Sequence, residues 1–134
     1  MASCSSSALV GPDLPTEVVT VGESELELWV ADDVEERRQG LRGVDRFPSG
    51  VEGMLFVFPE PVTPSFVMLD AELPLDLWFF DDEGVLVGTE EMAPCPSEPC
   101  PRYPAPGEVR WAVETLQGSH EFELGDVLTT SASD

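Results

Sequence analysis

The 134-residue chain has no lysine, one histidine, one tyrosine and three cysteines. Each scarcity excludes something. Six arginines face 27 acidic residues, for a formal net charge of −21. Such a surface repels phosphate, so nucleic acid and anionic membranes are poor partners. The lone histidine, His120, is the only side chain whose ordinary titration lies near neutral pH. No apolar run approaches the ~18 residues of a membrane helix. The longest, Leu73 to Phe80, is interrupted by Pro74 and Asp76.

What is present suffices for one core. Hydrophobic residues make up 42% of the chain, with three Trp and seven Phe among them, at a length typical of one domain. The acids are spread along the whole chain rather than gathered in a tail, which favours general solvation, as in proteins that work in high salt. A cation-binding or basic-partner surface is the competing reading.

Residues 1–16 are small, polar and proline-punctuated, and read as a flexible N-terminal tether. Within them, Ala2-Ser3-Cys4 followed by Ser5-Ser6-Ser7 resembles the end of a bacterial lipoprotein signal, where Cys is the lipidated residue. No basic or apolar stretch precedes it, so Cys4 is either a lipidation site or an incidental thiol. Residues 130–134 read as a flexible C-terminus, leaving one β-rich domain over 17–129.

From Glu17 the pattern alternates. Glu17–Val21 and Ser24–Ala31 read as strands around a Gly22-Glu23 turn, with Leu26, Leu28 and Val30 on one face and Glu25, Glu27 and Trp29 on the other. Asp32 with Glu35 forms a capping-box pattern, opening a short helix over Asp33 to Gln39 that Gly40 stops. Strand-like runs follow at Gly53–Phe58 and Ser65–Asp70, separated by a Pro59-Glu60-Pro61 turn. Leu75–Asp81 and Val85–Ala93 flank an Asp81-Asp82-Glu83-Gly84 turn that lacks the ligand spacing of a calcium loop. Leu77 and Phe79 alternate with Trp78 and Phe80, so that strand is apolar on both faces and central. A proline-rich loop, Pro94 to Gly107, precedes strands at Val109–Thr115 and His120–Leu124. The expected fold is mainly β (α+β): a small antiparallel curled sheet or barrel-like sandwich with one short helix.

Several ordered motifs carry a family resemblance: Glu36-Arg37-Arg38-Gln39-Gly40-Leu41, then Gly53 to Phe58, Ser65-Phe66-x-Met68, and Leu73-Pro74-Leu75-Asp76. Pro94-Cys95 and Pro99-Cys100-Pro101-x-Tyr103 complete the series. Together they resemble domain of unknown function 192, from about Leu26 to Leu128. That resemblance implies a small β-rich domain of bacteria and archaea, often behind a signal peptide or lipoprotein anchor, and no established activity. There are departures. Gly40-Leu41-Arg42-Gly43-Val44 stands where the family tends to read Gly-Leu-Met-x-Arg. Phe66-Val67-Met68-Leu69-Asp70-Ala71 stands where it tends to read Phe-Trp-Met-Lys-Asn-Thr. The apolar scaffold is kept while the polar decoration is rewritten, which implies a preserved fold with altered ligand recognition.

Cys95 and Cys100 are spaced Cys-x4-Cys among Pro94, Pro96, Pro99 and Pro101. Prolines forbid the helix that activates redox thiols, and only His120, Cys4 and carboxylates remain to complete a metal site. A structural disulfide is the favoured reading, with no metal or cofactor expected, and redox and metal pairs as rivals. Asp76, inside an apolar run, needs a partner: Arg37, Arg38 or a backbone cap on one reading, a ligand on the other.

The leading expectation is a monomeric, non-catalytic, extracytoplasmic domain, possible lipid anchor at Cys4 included. It would bind a small molecule or an envelope protein in a groove of Phe66, Met68, Asp76 and Trp78 beside the Arg37 helix. The rivals are a small hydrolytic enzyme using Asp76 and His120 for acid–base work, and a purely structural acidic module.

Overall fold

The computed structural model describes residues 12–130; Cys4, the first eleven residues and the last four lie outside them. The chain forms β1 (Thr16–Val21), β2 (Ser24–Ala31), α1 (Val34–Gln39), β3 (Gly53–Val62) and β4 (Ser65–Val67). It continues through β5 (Leu75–Phe80), β6 (Leu86–Met92), β7 (Arg102–Pro104), β8 (Val109–Leu116) and β9 (Leu128–Thr129). Seven strands make one curled, half-barrel sheet in the order β6-β5-β8-β3-β2-β1-β9, and β4 pairs with β7 as a separate ribbon.

The expected mainly β fold with one short helix is what the chain adopts. The sheet is not wholly antiparallel. β2 and β3 run parallel, because the chain between them crosses over through α1 instead of turning back. The Pro59-Glu60-Pro61 segment does not break the chain as a turn; β3 runs on to Val62 past an irregularity in its pairing with β8. The proline-rich loop hides a strand, β7, whose Tyr103 faces Phe66 across the ribbon. His120–Leu124 is no strand: it lies outside any ladder, and β9 begins only at Leu128.

Both faces of the sheet are apolar, each with its own core. On one, Val19, Val21, Leu26 and Leu28 from β1 and β2 meet Phe80, Leu86 and Val113 from β5, β6 and β8. Strands from opposite ends of the sheet thus share one cluster, so this face is the concave one. Leu86 N–H donates to Asp126 O, Leu128 N–H to Gly84 O and Gly22 N–H to Val127 O, lacing the two sheet edges together. On the convex face, Trp29, Met54, Phe56, Leu77 and Phe79 are covered by residues from outside the seven-stranded sheet: Leu41, Val44, Met68 and Cys95. Leu14 packs there too, and Pro15 O accepts from Val30 N–H.

The helix starts one residue later than the capping pattern suggests. Asp33, not Asp32, is the N-cap, its carboxylate accepting from Glu36 N–H at 2.8 Å, while Glu36 reaches back to Asp32 N–H at 3.0 Å. The reciprocal pair is the capping box shifted by one. It also accounts for the close carboxylates of Asp32, Asp33 and Glu36. Gly40 ends the helix at φ 49, a conformation glycine adopts without steric cost.

β3 approaches β8 closely at Gly53, where a Cβ would collide with Glu114 O. Neither strand can yield, since both are flanked by paired neighbours on either side. Gly53→Ala is therefore expected to cost more than about 2 kcal/mol. Urea unfolding measures it, and a change below about 0.5 kcal/mol would show that the strands are not so close.

Candidate functional site

α1 and the turn after it, β4, and the convex face of β3 and β8 surround a cavity of about 570 Å³. That lies within the range typical of small-molecule sites. Arg37 is fixed at its edge: Nη1 donates to Val57 O at 2.8 Å, and the guanidinium lies over the Phe58 ring, 5.3 Å from its centroid. This pins the helix to β3. Phe66 meets Phe56 edge-on at 5.2 Å and Phe79 at 5.9 Å, while Met68 is buried below. Such offset aromatic contacts hold rings in defined orientations.

Three of the six arginines, Arg37, Arg38 and Arg42, line this cavity. Arg38 pairs with Glu35 on the exposed helix surface. Arg42 has no ion-pair or hydrogen-bond partner for its guanidinium among the described residues.

One lining residue was not anticipated. Glu114 sits in the middle of β8, between Met54 of β3 and Leu77 of β5, and is 5% exposed. Among the described residues no hydrogen bond or ion pair reaches its carboxyl. Yet no fully enclosed side-chain oxygen lacks a partner among them, so the Glu114 oxygens open onto the cavity. Burial raises its pKa to about 8, because the apolar surroundings disfavour the charged form. At neutral pH it is mostly an uncharged carboxylic acid, able to donate a hydrogen bond. The sequence signal was available: a carboxylate inside an apolar run, the same signal that singled out Asp76.

The expected groove is split by the sheet. Arg37, Phe66 and Met68 line the cavity just described, whereas Asp76, Trp78 and His120 line a second, open hollow of about 820 Å³. The reason is strand alternation: on β5, Leu75, Leu77 and Phe79 face the convex core, so Asp76, Trp78 and Phe80 face the other way. Asp76 is not paired with Arg37 or Arg38. Its Oδ2 accepts from Gly118 N–H at 2.9 Å, closing the β8 turn. Trp78 Nε1 donates to Thr115 Oγ1 at 3.1 Å. His120 Nε2 lies 2.9 Å from Glu52 Oε1, and its ring stacks on Phe122.

Cys95 and Cys100 form a disulfide, with Cα atoms 5.9 Å apart. It bears on the cavity through the backbone. Cys95 N–H donates to Met68 O, and Asp70 N–H to Cys95 O. The disulfide loop thus grips the chain just after β4, and β7 grips β4 itself. Asp81 Oδ1 accepts from Glu83 and Val85 N–H, a self-contained turn.

Residues 17–129 match the family model of domain of unknown function 192, described as Uncharacterized ACR. The chain belongs to this family. Domain of unknown function 192 carries no assigned activity, and among curated proteins none matches the chain. Its fold recurs in solved structures. A protein of Sinorhizobium meliloti 1021, described as a putative transcription regulator, is 25% identical with a TM-score of 0.79, over 90% of this chain and 97% of that one. A protein of unknown function from Novosphingobium aromaticivorans DSM 12444 is 21% identical with a TM-score of 0.76, over 87% and 86%. Among the described residues of this family member, no helix is long and apolar enough to cross a membrane.

Glu114 also sets a pH dependence. An acid whose folded pKa is raised destabilises the fold once the unfolded chain can ionise it. The stability is fully present below about pH 4.5, falls as pH rises toward about 8, and is level above that. No charged group flanks it on β3 or β5; the arginines of the α1 segment face it across the cavity. Glu114→Gln is expected to match the parent at pH 4 and exceed it by more than about 2 kcal/mol at pH 9. Thermal unfolding across that range measures the gap, and parallel curves for the two proteins would refute it.

Proposed function

We propose that this domain is a non-catalytic, extracytoplasmic binding module that holds a small molecule in the cavity between α1, β4 and the convex sheet face. The observation that carries the reading is the buried Glu114 carboxyl, without a partner among the described residues, opening into a hollow of ligand size. A ligand that hydrogen-bonds to this carboxyl adds a bond worth about 0.5–1.5 kcal/mol. Apart from Gln39, Gly40 and Ser65, the remaining lining consists of aromatic, aliphatic and arginine side chains, which hold and orient a ligand. The disulfide at Cys95–Cys100 supports an oxidising compartment.

A second reading rests on Asp76 and His120 lining one hollow. A hydrolytic pair would need both groups available, and each already holds a partner, Gly118 N–H and Glu52. The two readings separate on one pair of variants. Ser65 is an exposed residue at the cavity wall, and Ser65→Trp blocks the cavity without touching the core. In a thermal-shift screen of a metabolite library, compounds that raise the melting temperature of the parent are expected to lose their effect on Ser65→Trp and keep it on His120→Ala. The reverse pattern, or turnover that disappears in His120→Ala, would move the function to the second hollow.

A further inference from the structure

The distribution of charge around the cavity narrows the ligand class. The chain carries 27 acids and six arginines, so a surface hollow taken at random is lined by carboxylates. The second hollow shows this, with Asp76, Glu90, Glu91, Glu121 and Glu123 around it. The α1–β4 cavity reverses the pattern. It gathers half of the arginines, and its one acid is the buried Glu114. Of the acids nearest in sequence, Glu36 and Asp33 close the helix cap, while Glu35 pairs with Arg38, which leaves Arg37 and Arg42 as the cavity arginines without a carboxylate partner among the described residues. Arg42 is left with its guanidinium uncommitted among the described residues. The apolar part of the lining includes Leu41, Phe56, Phe66, Val67 and Met68.

We propose that the cavity binds a small amphipathic organic anion, its anionic group on the Arg42 side, its apolar body against Phe56, Phe66 and Met68, and a polar atom on the Glu114 carboxyl. The assignment rests on the reading of this cavity as the ligand site and adds the chemical class. Arginine presents a rigid fork of donors matched to a carboxylate. An uncharged Glu114 adds a donor without adding a repelling charge, which an ionised acid in the same place would do. Local charge is what matters at working salt. The screening length is about 8 Å at 0.15 M ionic strength, so remote carboxylates act weakly on a group seated among the arginines.

The test uses three probes of one shape: phenylbutyrate, the neutral phenylbutyramide and the cationic phenylbutylamine. Each is titrated into the full chain with its disulfide intact, at about 0.15 M salt, followed by amide chemical shifts. The anion is expected to move residues 34–42, 64–68 and 114 and to bind at least about tenfold more tightly than the amide, with no binding of the amine there. Arg42→Gln is expected to lower the affinity for the anion to that of the amide. Arg46→Gln, altering an arginine outside the cavity lining, leaves it unchanged. Equal binding of all three probes at these residues would overturn the anionic class and leave the cavity as the ligand site. Shifts confined to other residues, or no binding of the anion, would also overturn the anionic class, and the library screen on Ser65→Trp then decides separately whether the cavity binds anything.

Discussion

The position of β8 between β3 and β5 is the constraint on which the rest of this domain depends. Its registers, Met54 and Leu77 opposite Glu114, Leu55 and Trp78 opposite Val113, fix which residues face which core. Because the strand is paired on both sides and apolar on both faces, it admits no slip. A shift of one residue would turn Val113 and Thr115 outward and bring Ala112 and Glu114 into the concave core. That core is laced across the sheet edges, and a carboxyl there would lie on the opposite face of the sheet from the α1–β4 cavity. The same register that packs the half-barrel therefore also delivers Glu114 to the convex face.

On that face the sheet supplies only a floor. The walls are borrowed from segments with little regular structure, and each is tied down by a different device. α1 has six residues and no buried side chain, so packing alone does not hold it; the Arg37 bond to Val57 O and the contact with Phe58 do. β4 has three residues, held by β7 on one side and by the Cys95 backbone just beyond it. A disulfide closing so short a loop contributes only about 2 kcal/mol through chain entropy. Its larger effect is positional: it keeps the proline-rich loop, and with it Met68, against the floor. The disulfide is thereby linked to the cavity rather than merely to stability.

What was legible in the sequence followed from short-range chemistry. Alternation gave β1, β2, β5 and β8 nearly to the residue, and Gly40 marked the helix end, because these depend on neighbours in the chain. What was not legible depends on partners far away. β7 has no pattern of its own among the prolines and exists because β4 needs a partner. His120–Leu124 alternates, yet it joins no ladder, and His120 turns instead to Glu52. Asp76 and Phe66 are near in sequence, but the two lie on opposite faces of the sheet and line different hollows. Asp70 illustrates a rewritten position that keeps its backbone role. It stands where the family pattern has Asn, and it adopts φ 64, a left-handed conformation that Asn and Asp both tolerate.

The acidity of the chain and the arginines of the cavity belong to one argument. At −21, every retained cation works against a background that would neutralise it, and most positions can dispense with one. Arg110 shows the ordinary use, bonded to Asp82 and to Phe58 O. The Arg42 guanidinium has no such partner among the described residues, and Arg42 stands where the family pattern reads Met. A guanidinium and a buried carboxyl, neither with a side-chain partner among the described residues, line the same cavity: one polar group wants negative charge, the other a hydrogen-bond partner. An apolar body between them fits the aromatic wall. The physical demand of the site is thus set by what the fold leaves unpaired, and a single amphipathic anion meets both halves of it.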